Sequence, residues 1–332
     1  MALPKIAVIG TGGTIASIGK TPLDILDYGD NKTMLEVNEI IDRFPDVHTV
    51  ADLVVVPYRA IPSPSMGFTQ WRELVNTFDK IAAEHSDLAG FVVTHGTASL
   101  EETAYMLHLT AKVDLPIVVV GSQRPASALS TDAGMNLVNG IRTAASPQAR
   151  GMGVMTLLND EIQCAREVTK TSNYRMQTFR TPDFGCLGHA DGDAVAFYRK
   201  PLRQHAPDTE FDIRTLESLP RVDITYSYCD SDGTAVQAFV AAGAKGLVSA
   251  GFAPGFCGPG DEPYLRDAVQ RGICVVQSSR AGSGRTFRSS RLSENGFLIA
   301  DNLNPQKARL LLSLALSITQ EPDEIQRMFE TY

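Results

Sequence analysis

Cysteine is scarce and poorly placed for a framework. The five in 332 residues (Cys164, Cys186, Cys229, Cys257 and Cys274) are odd in number, scattered, and form no C-x-x-C. A disulfide scaffold or zinc ribbon is not expected, and a reducing compartment fits. The six histidines show no H-x-x-x-H spacing, so no metal site is expected either. No apolar run approaches the ~20 residues of a membrane-spanning helix. Positive charge is in deficit, and the net charge of −8 argues against a general nucleic-acid binder. There is no G-x-x-x-x-G-K-[ST] loop for nucleotide phosphates. Gly10-Thr11-Gly12-Gly13-Thr14-Ile15 places Ile15 where a dinucleotide fingerprint needs its third glycine, so a nicotinamide or flavin site is not expected.

What remains is an ordinary globular composition, 43% apolar and 20% charged, at a length that suits roughly two domains. Apolar runs at 5–9, 53–57, 91–94, 116–121 and 153–158 read as buried strands. Helical patterns near 34–43, 69–84 and 132–143 alternate with them, which indicates a mostly parallel sheet covered on both faces. The expected class is α/β: a larger N-terminal domain with a mostly parallel sheet between helices, plus a smaller C-terminal α/β domain. We place these at residues 1–200 and 221–332, with 201–220 as linker, because prolines and few apolar clusters fill the stretch from Tyr198 to Pro220. The C-terminal part is expected to hold strands at 222–227, 246–249 and 273–277, and a closing helix at 305–317. Met1-Ala2-Leu3-Pro4-Lys5 enters the first strand at once, so no leader and a cytoplasmic home are expected.

The stretch Phe91-Val92-Val93-Thr94-His95-Gly96-Thr97-Ala98-Ser99-Leu100-Glu101-Glu102-Thr103 organises the rest. An apolar strand ends on small and hydroxyl residues, and a helix starts straight afterwards. Ser99 and Glu102 have the spacing of a capping box. Thr97 is thus expected in a tight turn at a strand's carboxyl end, where ligands bind in open α/β sheets. Thr14 stands in a second glycine-rich turn after the first strand. The polar segment from Ser17 to Lys32, which contains Tyr28, is expected as a mobile loop over that strand end. Lys170 sits in the polar loop Arg166-Glu167-Val168-Thr169-Lys170-Thr171-Ser172. A hydroxyl nucleophile needs a base, and a buried lysine with a lowered pKa can serve. Spacing alone does not assemble these residues.

A family resemblance does. Thr11-Gly12-Gly13-Thr14-Ile15-Ala16, Thr94-His95-Gly96-Thr97 with Glu101-Glu102-Thr103-Ala104, Gly121 with Arg124-Pro125, Asp132, Val168-Thr169-Lys170-Thr171 and Asn304-Pro305-Gln306-Lys307-Ala308-Arg309 follow one another along nearly the whole chain. In that order they resemble the bacterial asparaginase/glutaminase family of amidohydrolases. The resemblance implies acyl transfer from a small-molecule amide to a threonine oxygen, without a cofactor, in a homotetramer of intimate dimers with active sites between subunits. Thr14 resembles the mobile-loop nucleophile and Tyr28 its loop partner, while Thr97 and Lys170 resemble the second threonine and its lysine. Ser63 matches a serine that holds the substrate carboxylate. Gly96 and Ala98 fall beside it at substrate-binding positions. Which threonine attacks first stays open.

Several positions depart from the pattern. The family normally has aspartate, paired with the substrate α-ammonium, where this chain has Ala98. Pro64 and Pro254 stand for a usual glutamine and asparagine. Arg288–Arg291 fall near a usual glutamate, with Glu294 available in a shifted register. The arginines at 280, 285, 288 and 291 favour a carboxylate-bearing ligand. Three readings follow: an asparaginase-type amidohydrolase with L-asparagine as substrate, the same machinery acting on an amide, imide or lactam without the α-ammonium, and a ligand-binding protein with a degenerate site.

Overall fold

The computed structural model describes residues 2–31 and 33–332. Met1 and Lys32, where the expected N-terminal run begins and the expected loop ends, lie outside them. The chain divides into two compact units, Met1–Arg214 and Thr215–Tyr332.

In the first unit, strands and helices alternate: β1 (Lys5–Gly10), α1 (Val37–Arg43), β2 (Asp52–Pro57), α2 (Phe68–Glu84), β3 (Leu88–Thr94), α3 (Leu100–Thr110), β4 (Ile117–Val120), α4 (Ala133–Ala145) and β5 (Val154–Leu158). The short strands β6 (Glu161–Cys164), β7 (Thr169–Lys170), β8 (Phe179–Arg180), β9 (Gly188–Ala190) and β10 (Val195–Phe197) follow. The main sheet has the order β10-β9-β6-β5-β4-β3-β1-β2. It is parallel from β2 to β5 and antiparallel beyond, where β6, β9 and β10 extend one edge. That extension is absent from the sequence reading, because its strands are too short to carry a period.

Side chains alternate across this sheet as the pleat requires. Ile6, Val8, Val92, Val118 and Val120 pack with α1 and α4. On the other face Phe91 meets Phe78 of α2, ring centroids 4.9 Å apart. Gly140 lets α4 approach closely, since a Cβ there would stand 2.4 Å from Val120 Cγ2. Fully burying such aliphatic side chains contributes roughly 1.5–3 kcal/mol each. Helix α3 is buried all round apart from Glu102, as expected of a helix enclosed by its own domain. Residues 201–214 belong to this unit: Ala206, Phe211 and Ile213 are buried, and Lys112 Nζ donates to Thr209 O at 2.8 Å.

One topological fact positions the site. From β1 the chain goes to β2 on one side, then returns to β3 on the other. The carboxyl ends of β1 and β3 therefore flank the point where strand order reverses, and connecting loops part there to leave a crevice. Thr14 follows β1 and Thr97 follows β3.

The second unit is a smaller parallel sheet, β11-β12-β13-β14. Its elements are β11 (Val222–Tyr226), α5 (Thr234–Ala241), β12 (Gly246–Gly251), α6 (Glu262–Gln270), β13 (Cys274–Ser279), α7 (Ser290–Glu294), β14 (Leu298–Ile299), α8 (Pro305–Leu316) and α9 (Pro322–Thr331). Val236 and Val240 of α5 and Leu265 of α6 form one core with Leu247 and Val275 of the sheet. The expected closing helix is not the last element. Pro322 opens α9, whose buried Ile325, Met328 and Phe329 repeat at helical spacing.

Candidate active site

The two strand-end turns are built against each other. Gly12 and Gly13 adopt φ of +92° and +88°, a region that side-chain-bearing residues rarely enter. A Cβ on Gly13 would stand 2.1 Å from Gly96 Cα, and one on Gly96 would stand 2.7 Å from Ser63 Oγ. The backbones of two turns and the Ser63 side chain thus meet where only glycine fits. Thr11 strengthens the seam, its N–H and its hydroxyl both donating to Thr94 O, at 3.1 and 2.7 Å.

Thr14 begins a short 3-10 turn, Thr14–Ala16, and its hydroxyl lies 2.9 Å from Tyr28 Oη. Tyr28 opens a second 3-10 turn, Tyr28–Asn31. The segment between is tethered to the loop before α4: Ala126 N donates to Ser17 O, Gly19 N to Ser127 Oγ, and Leu129 N to Pro22 O. Within it Leu23 and Leu26 are exposed.

Thr97 is buried, and Lys170 Nζ donates to its Oγ1 at 2.8 Å. The expected polar loop around Lys170 is in fact ordered: Thr169–Lys170 is the strand β7, paired with Phe179–Arg180 of β8. Phe179 underlies the ammonium, with its ring centroid 6.0 Å from Nζ. Burial pushes the Lys170 pKa below its ordinary value, partly opposed by the carboxylate of Glu101. Glu101 Oε1 also accepts from Lys170 N and Thr169 Oγ1, each at 3.4 Å. A hydroxyl beside a lysine whose ammonium is made less favourable by burial is an arrangement for proton transfer.

Ser99 does not form the expected capping box. Its hydroxyl makes no cap bond to α3 and instead donates to Ser63 O at 2.6 Å. This recruits the residue to hold the Ser63 turn. Ser63 and Gly96 are buried at the seam, whereas Ala98 is exposed. Asp132, another residue of the resemblance, accepts from Gln123 N, Arg124 N and Asn136 Nδ2, and so organises the loop after β4.

Glu101 and His95 were visible in the sequence but had no assigned part. Their signal was position: Glu101 is four residues beyond Thr97, and His95 directly follows the strand β3. The arginines of the second unit are mostly engaged. Arg291 pairs with Glu262 and Arg285 with Asp301. Arg280 donates to Ser227 O at 3.1 Å and lies 4.3 Å over the Phe252 ring. Arg288 is exposed, and Glu294 is exposed at the end of α7.

Comparison with known proteins covers both units. The family described as Asparaginase, N-terminal matches residues 5–203, and the Glutaminase/Asparaginase C-terminal domain matches residues 221–329. The chain is 38% identical to L-asparaginase 2 of Bacillus subtilis, covering 99% of this chain and 87% of that protein. It is 37% identical to the probable periplasmic L-asparaginase of Haemophilus influenzae, covering 99% of this chain and 93% of that one. A crystal structure of a probable cytoplasmic L-asparaginase from Campylobacter jejuni superposes with a TM-score of 0.94 at 38% identity, covering 99% of both chains.

Proposed function

The chain belongs to the asparaginase family, and from that premise we propose that it hydrolyses the linear C–N bond of a side-chain amide such as that of L-asparagine, through a threonine ester. The observation that carries this reading is the 2.8 Å contact between Lys170 Nζ and Thr97 Oγ1 beneath a burial-lowered lysine pKa. With the amine unprotonated, the same pair reverses and the hydroxyl donates.

In the proposed cycle a threonine oxygen attacks the amide carbon, and its proton passes to the base. The tetrahedral intermediate collapses with the nitrogen leaving as ammonia after it takes that proton. Water then attacks the ester carbonyl, giving the carboxylic acid and restoring the hydroxyl. Backbone N–H groups at the Thr97 turn supply the donors for the oxyanion. Thr14 with Tyr28 and Thr97 with Lys170 are the two hydroxyl systems available, and mapping the acylated peptide by mass spectrometry identifies which carries the ester. Thr97→Ala tests the whole reading by ammonia release from L-asparagine. Turnover should vanish while ligand binding persists, and a variant within about tenfold of the parent's kcat would sink it.

Ala98 favours a second reading of the substrate. An exposed methyl there offers no charge to an α-ammonium, so an amide without that group, such as succinamate, loses nothing at this turn. Ammonia release from L-asparagine and succinamate side by side decides it. A kcat/KM for L-asparagine far above that for succinamate removes the second reading. A cytoplasmic location completes the proposal, supported by five free thiols of which Cys229 is exposed; a homotetramer is what the family resemblance implies.

A further inference from the structure

We propose that His95 is a positioning residue for this reaction: by holding the Gly96 carbonyl it aims the Thr97 N–H at the oxygen of the scissile amide. The proposal rests on the threonine-ester reading above, because only that chemistry develops an oxyanion at this turn.

The His95 ring is fully buried, and its Nδ1 lies 2.8 Å from Gly96 O. A carbonyl can only accept, so the ring proton sits on Nδ1. Nε2 has no hydrogen-bond partner among the described residues, so nothing competes for the opposite tautomer. Burial holds the ring's pKa down at about 4, which keeps it neutral where amide hydrolysis is measured.

The consequence runs through one peptide unit. The cis bonds among the described residues are Ala206–Pro207 and Ala253–Pro254, so Gly96–Thr97 is trans. In a trans peptide the C=O and N–H point in opposite directions. With the carbonyl turned toward buried His95, the Thr97 N–H points away from the core. It donates to none of the described residues. Packing of Gly13 and Ser63 against Gly96 fixes where this peptide sits. Packing alone does not fix which way it faces, because a flip turns ψ of Gly96, which glycine permits, together with φ of Thr97. A flip would present a carbonyl oxygen to the developing negative charge in place of a donor. The His95 bond opposes that flip.

The test compares the parent with His95→Leu, His95→Asn and Thr97→Ala, on whichever of L-asparagine and succinamate the parent turns over faster. His95→Leu should lower kcat about 100-fold, with KM within about threefold. His95→Asn, whose side-chain N–H can take the place of Nδ1–H, should recover at least roughly tenfold of that loss. A folded His95→Leu with parent-like kcat overturns the proposal. So does a raised KM at unchanged kcat, or an Asn variant no better than Leu. Should His95→Leu fail to fold, His95→Asn decides alone: kcat within about tenfold of the parent supports the proposal, and a fall of about 100-fold overturns it. Thr97→Ala separates the two levels. If it turns over like the parent, the ester reading fails, and this proposal with it. If it is inactive while His95→Leu is unimpaired, only the part assigned to His95 fails.

Discussion

The turns after β1 and β3 look alike in sequence, each a threonine set among glycines at a strand end, yet the structure equips them differently. Thr97 is buried, and its partner comes from β7, a strand locked into a ladder with β8. Thr14 is half-buried, and its partner Tyr28 comes from a segment held to the loop before α4 by three hydrogen bonds. One hydroxyl meets an amine whose ammonium form is disfavoured by burial. The other meets a second hydroxyl, which orients it. The first system is equipped to move a proton, whereas the second pairs two hydroxyls.

That asymmetry is open to attack by mutation. Lys170→Met keeps the chain length and removes the base, and should lower kcat about 1000-fold with little change in KM. Combined with Thr97→Ala it should add almost nothing, since residues acting as a unit are strongly non-additive. Steady-state ammonia release on the single and double variants measures both statements. Full additivity would separate Lys170 from Thr97 and dissolve the pairing.

Tyr28→Phe removes only the hydroxyl facing Thr14, and a neutral hydrogen bond of this kind is worth about tenfold at most. The same assay reads it. A loss as large as that of Lys170→Met would invert the comparison and make the Thr14 arm the proton-transfer system.

Much of this was legible in the chain because it is local. The parallel strands announce themselves as β-branched runs, whereas bringing Thr14 to Tyr28 and Thr97 to Lys170 took the family resemblance, since spacing alone does not assemble them. What was hidden depends on residues distant in sequence. Ser99 has the spacing of a cap, but a carbonyl 36 residues away competes for its hydroxyl and wins. Lys170 reads as loop because a two-residue strand has no period, and only its partner β8 makes it one. Arg285 and Arg291 read as free cations until Asp301 and Glu262 are found beside them. The contact between Gly13 and Gly96 could not be foreseen either, since it follows from β1 and β3 being sheet neighbours.

The smallest predicted effect is also the most specific to the Thr97 side. Burial lowers the Lys170 pKa from its ordinary 10.5, and the Glu101 carboxylate raises it. If the neutral amine is the working form, kcat/KM climbs with pH as Lys170 loses its proton, giving an acid limb centred on its pKa. Glu101→Gln removes the opposing charge but keeps an oxygen to accept from Lys170 N and Thr169 Oγ1. The lysine pKa should therefore drop further, and the acid limb should move to lower pH. The plateau at high pH should change little, because there the amine is already neutral in both proteins. Profiles of kcat/KM from pH 5 to about pH 10 on the parent, Glu101→Gln and Tyr28→Phe make the comparison. Only Glu101→Gln should shift the limb, because Tyr28 is paired with the other threonine. A limb that moves upward, or that Tyr28→Phe moves as well, would mean that Lys170 is not the group whose deprotonation switches the enzyme on.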